Sequence, residues 1–243
     1  MFNNYLVYQK EWQTKLQLGD YFVLYIDVLG YKKLLKKDKD FLVKMKYLMS
    51  VIIKEHVDSY TLNAFKYKMF SDNVLICIKQ NENKSLERLI NFASRLQSMA
   101  MFHFGFFMRG SICRGSLYID EDIVYGDALV KAFELESMFS KVPRIIIDKS
   151  LYDEKYVSTS NHRICMFDDN YKIVNYLHFY FAETLIDKSR ENQLSEIYKY
   201  VQSNLLQTKG RCIFKNRTHK KILWVDKFNR YVLEKQEVLK YYK

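Results

Sequence analysis

The chain has 243 residues, a formal net charge of +11, 49% hydrophobic and 16% aromatic residues, seven glycines and one proline. This composition provides a sizeable core and excludes a low-complexity chain or a flexible linker. The length favours a single domain over residues 1–243, with a core at about 20–150 and C-terminal additions over about 151–243. No uncharged stretch approaches the ~20 residues of a membrane span, and residues 1–15 lack the apolar run of a signal peptide. A cytoplasmic protein is expected. Cys77, Cys113, Cys165 and Cys212 are scattered without a CxxC pair, and the five histidines are equally dispersed, so neither a disulfide framework nor a zinc site is indicated. The positive charge suits a polyanionic ligand, a nucleoside triphosphate or nucleic acid, or else reflects a solvated lysine surface.

In chain order, Tyr21 to Ile26 are large and mostly apolar and read as a strand buried on both faces, with Asp27 near its carboxyl end and Gly30 closing the run. Asp38 and Asp40 can start a helix to about residue 58, whose apolar face is Phe41, Leu42, Met45, Leu48, Met49, Ile52 and Ile53. Two strand-like runs, 64–70 and 74–78, flank Ser71-Asp72-Asn73 as a hairpin tip. Ser85 is placed to cap a second helix with the face Leu89, Ile90, Ala93, Leu96 and Ala100. A strand at about 106–113 follows, then a hairpin from 117–119 and 123–125, and a helix from Gly126-Asp127 to about Phe139 with Asp127 as its cap. Residues 145–147 read as a short buried strand and 164–180 as a strand pair. The remainder reads as helices carrying Leu194, Ile197, Tyr200, Val201 and Leu205, then Ile222, Leu223, Trp224 and Phe228.

Strand, helix, strand pair, helix, strand is the order of an α+β, ferredoxin-like βαββαβ core. Right-handed crossovers set its first and third strands side by side. The end of the first strand and the turn between the second and third then share one edge, which predicts that Asp27 and Asp72 meet. Two carboxylates brought together repel each other, and a divalent cation relieves that repulsion.

The same residues resemble the class III nucleotide cyclases. The likeness is closest to the bacterial pyrimidine cyclases of Pycsar antiphage defence. It is carried by Tyr25-Ile26-Asp27-Val28-Leu29-Gly30-Tyr31, Phe70-Ser71-Asp72-Asn73, Met108-Arg109-Gly110-Ser111-Ile112, Gly126-Asp127-Ala128-Leu129-Val130-Lys131-Ala132 and Pro143-Arg144-Ile145. Lys221-Ile222-Leu223-Trp224 with Asn229 resembles the C-terminal block. The resemblance implies a homodimer with interfacial active sites and two Mg²⁺ or Mn²⁺ ions held by Asp27, Asp72 and the Val28 carbonyl. It also implies cyclisation of UTP or CTP to the 3′,5′-cyclic monophosphate with release of pyrophosphate. The product would be read by a separate effector protein, and no stable nucleic-acid or membrane binding is expected.

The chain also departs from the purine-specific cyclases. Their helix Asn and Arg correspond here to Val130 and Glu134. The transition-state charge must then come from elsewhere, with Arg109 favoured over Arg114 and Arg144, or the chain is a binding protein without turnover. Arg109 could equally be a structural ion-pair partner. In the base pocket, the polar base-reader position is Ile123, and Lys68 is a candidate donor to a pyrimidine carbonyl or a surface lysine. Phe22 is a candidate stacking ring or a core aromatic. UTP is slightly favoured. A basic nucleic-acid-binding module is the reading from a different class, with salt-dependent affinity that does not involve Asp27 or Asp72.

Overall fold

Gly19–Val28 forms β1, and it is buried on both faces for most of its length. The structure is a computed structural model and describes residues 17–56, 65–82, 84–158, 163–167, 171–178 and 216–241. Residues Leu194 to Leu205 and Cys212, read above from the sequence, lie outside the described residues. After β1 come α1 (Tyr31–Lys37), α2 (Phe41–His56), β2 (Phe65–Phe70), β3 (Asn73–Lys79), α3 (Ser85–Phe102) and β4 (Met108–Ile119). Then follow β5 (Val124–Tyr125), α4 (Asp127–Phe139), β6 (Ile145–Ile147), β7 (Ile164–Met166), β8 (Lys172–Val174) and α5 (Asn216–Tyr241).

The sheet order is β2-β3-β1-β4-β6-β8-β7, with β5 paired to β4. The first four of these strands are each antiparallel to their neighbours in the order 2-3-1-4, as the split βαββαβ plan requires. β6 then adds parallel to β4, and the β7–β8 hairpin extends the same sheet.

Alternation along β1 sorts the core into two layers. Phe22, Leu24, Ile26 and Val28 pack with α2 (Phe41, Met45, Leu48, Ile52) and α3 (Leu89, Ile90, Ala93, Leu96). Tyr21, Val23 and Tyr25 point the other way and pack with Leu75, Cys77, Cys113 and the α4 alanines Ala128 and Ala132. A third cluster docks α5 through Trp224, Val225 and Phe228 onto Ile146, Ile173 and Tyr176. Its rings are closely arranged, with Trp224 stacked on Phe228 at 5.2 Å.

Several local expectations are corrected. α1 is an addition to the expected elements: Tyr31 and Leu34 are partly buried against the core, but its lysines dominate the segment and none of its residues is fully buried. Ser85 does not cap α3. Lys84 occupies the cap position in a left-handed conformation, and the Ser85 hydroxyl donates instead to the Gln80 carbonyl at 3.2 Å. Asp127 is likewise the first residue of α4 rather than its cap. Its carboxylate accepts from the Ser116 backbone N–H (2.7 Å) and hydroxyl (2.5 Å), which ties the start of α4 to β4. Gly126 precedes it at φ 147°, and a Cβ there would lie 2.3 Å from the Ser116 carbonyl oxygen, so only glycine admits this approach.

Candidate active site at the end of β1

The pleat puts Asp27 in a row across four strands: Phe70 on β2, Asn73 on β3, Asp27 on β1 and Arg109 on β4. The row lies on the α4 side of the sheet. Next to it runs a second row, Lys68, Leu75, Tyr25 and Ser111, and the Ser111 hydroxyl donates to the Ala132 carbonyl of α4 at 2.7 Å. α4 therefore roofs the second row, and its carboxyl-terminal turn reaches the first.

Asp72 is brought to Asp27 by the β2–β3 turn. The turn places Ser71 in the left-handed region at φ 59°, at a cost of about 1–2 kcal/mol for a residue with a Cβ. The Val28 backbone N–H donates to the Asp72 carbonyl at 3.1 Å, which pins the turn onto the end of β1. The Tyr25 hydroxyl donates to Asn73 Oδ1 at 2.6 Å and steadies the turn from below. Burial is the main reason the Asp27 carboxyl lies above the ordinary range; Arg109 opposes that rise and the neighbouring Asp72 carboxylate adds to it. Tyr25 is pushed up to about 12, first by burial and then by the carboxylates of Glu136, Asp27 and Asp72, so its hydroxyl remains a donor.

Arg109 sits between two carboxylates. Its Nε lies 2.7 Å from Asp27 Oδ2 and 2.7 Å from Glu136 Oε1, and Nη1 donates to the Ser140 carbonyl at 3.2 Å. A single Nε proton cannot serve both acids well, and it is the bond to Asp27 that forms. Glu136 Oε1, in a residue only 3% exposed, has no hydrogen-bond partner among the described residues. Burial therefore raises Glu136 to about 7 despite the Arg109 charge, with Asp27 and Asp72 adding to the rise. An acid whose folded pKa exceeds its ordinary 4.5 stabilises the fold fully below that ordinary value and loses this contribution as pH rises through about 7. The melting temperature of Glu136→Gln, measured relative to wild type, is expected to rise between pH 5.5 and pH 8.5. A difference independent of pH would contradict this.

Glu136 was missed in the sequence. Its signal was there: Ala128, Ala132 and Glu136 recur at helical spacing on the buried stripe of α4, where a charged residue needs a partner. Arg109, favoured as a transition-state cation, is committed to Asp27, Glu136 and Ser140. Arg144 is buried and donates to the Phe139 carbonyl at 2.7 Å, and Arg114 pairs with Glu154 at 3.2 Å. Lys68 is on the expected face, but its ammonium donates to the Glu121 carbonyl in the β4–β5 hairpin.

Of the two readings of Phe22, the structure has the core aromatic: it is 6% exposed and packs in the α2–α3 layer, because its odd offset of five from Asp27 puts the two on opposite faces. The aromatic ring that does share the Asp27 row is Phe70, which is 43% exposed. Val130 and Glu134 project outward from α4, away from the buried stripe.

Asp27 and Asp72 are hard oxygen donors held close together, the donor chemistry that suits Mg²⁺ or Mn²⁺. Among the described residues no group of three or more His, Cys, Asp or Glu side chains is arranged to hold a metal. Two carboxylates would then leave the rest of the shell to backbone oxygen, water and phosphate, as magnesium sites commonly do.

No family model matches the chain, and no curated protein matches it. Solved structures with a similar fold include the catalytic core of a rhodopsin-guanylyl cyclase with converted specificity in complex with ATPαS, at 17% identity and a TM-score of 0.46. That match covers 64% of this chain and 93% of the other. A bacterial light-regulated adenylyl cyclase matches at 14% identity and a TM-score of 0.46, covering 66% and 92%. The adenylyl cyclase CyaB from P. aeruginosa matches at 14% and 0.43, covering 65% and 93%.

Proposed function

We propose that the chain is a nucleotidyl cyclase that converts a pyrimidine nucleoside triphosphate, UTP in preference to CTP, to its 3′,5′-cyclic monophosphate and pyrophosphate. The observation that carries this reading is the convergence of Asp27 and Asp72 at the end of β1, beside an arginine that orients one of them. Two divalent ions bound there would supply Lewis-acid activation of the ribose 3′-hydroxyl and neutralise charge on the leaving pyrophosphate. Asp27 and Asp72 would hold these ions, with the Val28 carbonyl as a further oxygen. Arg109 holds the Asp27 carboxylate in place, and Glu136 and Ser140 hold Arg109. The Tyr25–Asn73 bond fixes the turn that presents Asp72. Phe70 offers a face for stacking on a base, and the pyrimidine preference follows the sequence blocks set out above.

A homodimer fits the same surface. Val130, Phe133 and Met138 on α4, together with Phe70 in the Asp27 row, are large apolar side chains exposed on the side of the sheet that carries Asp27. With the arginines Arg109, Arg114 and Arg144 all engaged, a second copy is the natural source of a cation for the transition state. The cyclic product would act as a messenger for a separate effector during phage infection; product levels unchanged by infection would contradict that role.

The test is incubation of the purified protein with ATP, GTP, CTP and UTP separately, each with Mn²⁺. Products are identified by mass spectrometry, and the oligomeric mass of the same sample is measured by light scattering. A cyclic pyrimidine nucleotide from a dimer is the expected result. A cyclic purine would overturn the base assignment, and no product from a folded dimer would favour a nucleotide-binding protein without turnover.

A further inference from the structure

On the opposite side of the sheet from Asp27, α1 and the outer face of α2 form a basic and apolar surface. Residues 31–47 contain seven lysines (Lys32, Lys33, Lys36, Lys37, Lys39, Lys44 and Lys46) and no arginine, against Asp38 and Asp40. Lys44 pairs with Asp38 at 2.7 Å, and the other six lysines have no acidic partner among the described residues. The outward face of α2 also exposes Leu42 (56%), Val43 (67%) and Tyr47 (57%), and α1 exposes Leu35 (42%). The inward residues Phe41, Met45, Leu48, Met49 and Ile52 already fill the core, so packing does not require Leu35, Leu42 and Val43 to be apolar; the Tyr47 ring, by contrast, meets Phe104 edge-on at 6.1 Å. The two helices are joined by the Tyr31–Phe41 edge contact at 5.7 Å and by the Lys44–Asp38 pair, which makes the patch one surface.

We infer that this α1–α2 surface docks the protein on an anionic lipid bilayer. Charge complementarity gives the sign of the partner: clustered lysines are drawn to a negatively charged leaflet, and the attraction is diffuse and needs no fixed geometry. The apolar residues give the class. Leu35, Leu42 and Val43 have neither hydrogen-bonding groups nor rings, so they fit the acyl boundary of a membrane. Nucleic acid instead favours arginine forks and aromatic stacking. No helix among the described residues is long and apolar enough to cross a membrane, so the association is peripheral. It departs from the expectation of no membrane binding, and it does not depend on the cyclase reading. The patch and the Asp27 row lie on opposite faces of the sheet, so docking leaves the candidate active site open.

The experiment is co-sedimentation of the full chain with vesicles of phosphatidylcholine, alone or mixed with phosphatidylglycerol, at low and high salt. Binding is expected only to the mixed vesicles and is expected to weaken with salt. Replacing Leu42 and Val43 together by Asp should lower the partition coefficient by about tenfold or more. Replacing Lys32, Lys33, Lys36 and Lys37 by Gln should lower it by up to about a thousandfold at low salt. These side chains are exposed, and circular dichroism of each variant separates lost binding from lost folding. No pelleting with the mixed vesicles would overturn the proposal, as would full binding by the Leu42/Val43 variant. Salt-sensitive binding to short RNA or DNA that needs the lysines but not Leu42 and Val43 would assign the surface to nucleic acid instead.

Discussion

Asp72→Ala is expected to lower the rate of cyclic nucleotide formation by about 10²–10³-fold while leaving the protein folded. Asp72 stands at the tip of a turn whose position is fixed by backbone and by its neighbours: its own carbonyl accepts from Val28 N–H, and Asn73 accepts from the Tyr25 hydroxyl. Removing its side chain takes nothing from the core. It also relieves the repulsion that raises Asp27. The loss of activity should therefore come with a melting temperature equal to or above that of wild type, a combination that a merely structural residue does not give. Activity retained within about tenfold would remove Asp72 from the chemistry.

Gly110→Ala should destabilise the fold by more than about 3 kcal/mol, a large effect for the addition of one methyl group. Gly110 is opposite Ile26 in the β1–β4 ladder. A Cβ built on it would lie 2.4 Å from the Tyr25 carbonyl oxygen and 3.2 Å from Ile26 Cγ1. The nearest obstacle is backbone in the central strand, which cannot swing aside as a flexible side-chain end can. Gly110 also directly follows Arg109, and its N–H donates to the Arg144 carbonyl at 3.0 Å. The strain would thus be felt in the row that carries Asp27. Urea unfolding with an unchanged m-value and a much lower midpoint is the expected outcome. A stability within 1 kcal/mol of wild type would show that the strand pair yields more readily than this packing implies.

The core plan was legible because its signals are periodic. The fully apolar run through β1, the two runs around Ser71-Asp72-Asn73 and the helical spacing of Leu89, Ile90, Ala93 and Leu96 each specify an element. The split βαββαβ topology then follows from the connection rules. The meeting of Asp27 with Asp72 was inferred from that topology, and the β1–β3 register places Asp27 opposite Asn73, directly beside Asp72.

Other features were hidden for physical reasons. Residue type points to Ser85 and Asp127 as caps, yet the Ser85 hydroxyl bonds back to the Gln80 carbonyl of the preceding loop and the Asp127 carboxylate bonds to β4. α1 is seven residues long with Tyr31 and Leu34 only partly buried among lysines, too short a run for its spacing to mark a helix. Helical spacing marks Glu136 as buried but not Arg109 as its partner, and Phe70 joins the site through the cross-strand register; neither pairing is contained in local sequence. Phe22 was within reach of the sequence: counting alternation from Asp27 places it on the far face.

The most direct test of the account is Mn²⁺ binding followed by electron paramagnetic resonance in the presence of UTP, comparing wild type with Asp27→Asn and Asp72→Asn. Each substitution keeps the side-chain shape and removes one negative charge. The account predicts saturable protein-bound Mn²⁺ in wild type and its loss in both variants, since neither carboxylate alone makes the site. Equal Mn²⁺ binding in all three proteins would contradict the assignment of Asp27 and Asp72 as a metal pair.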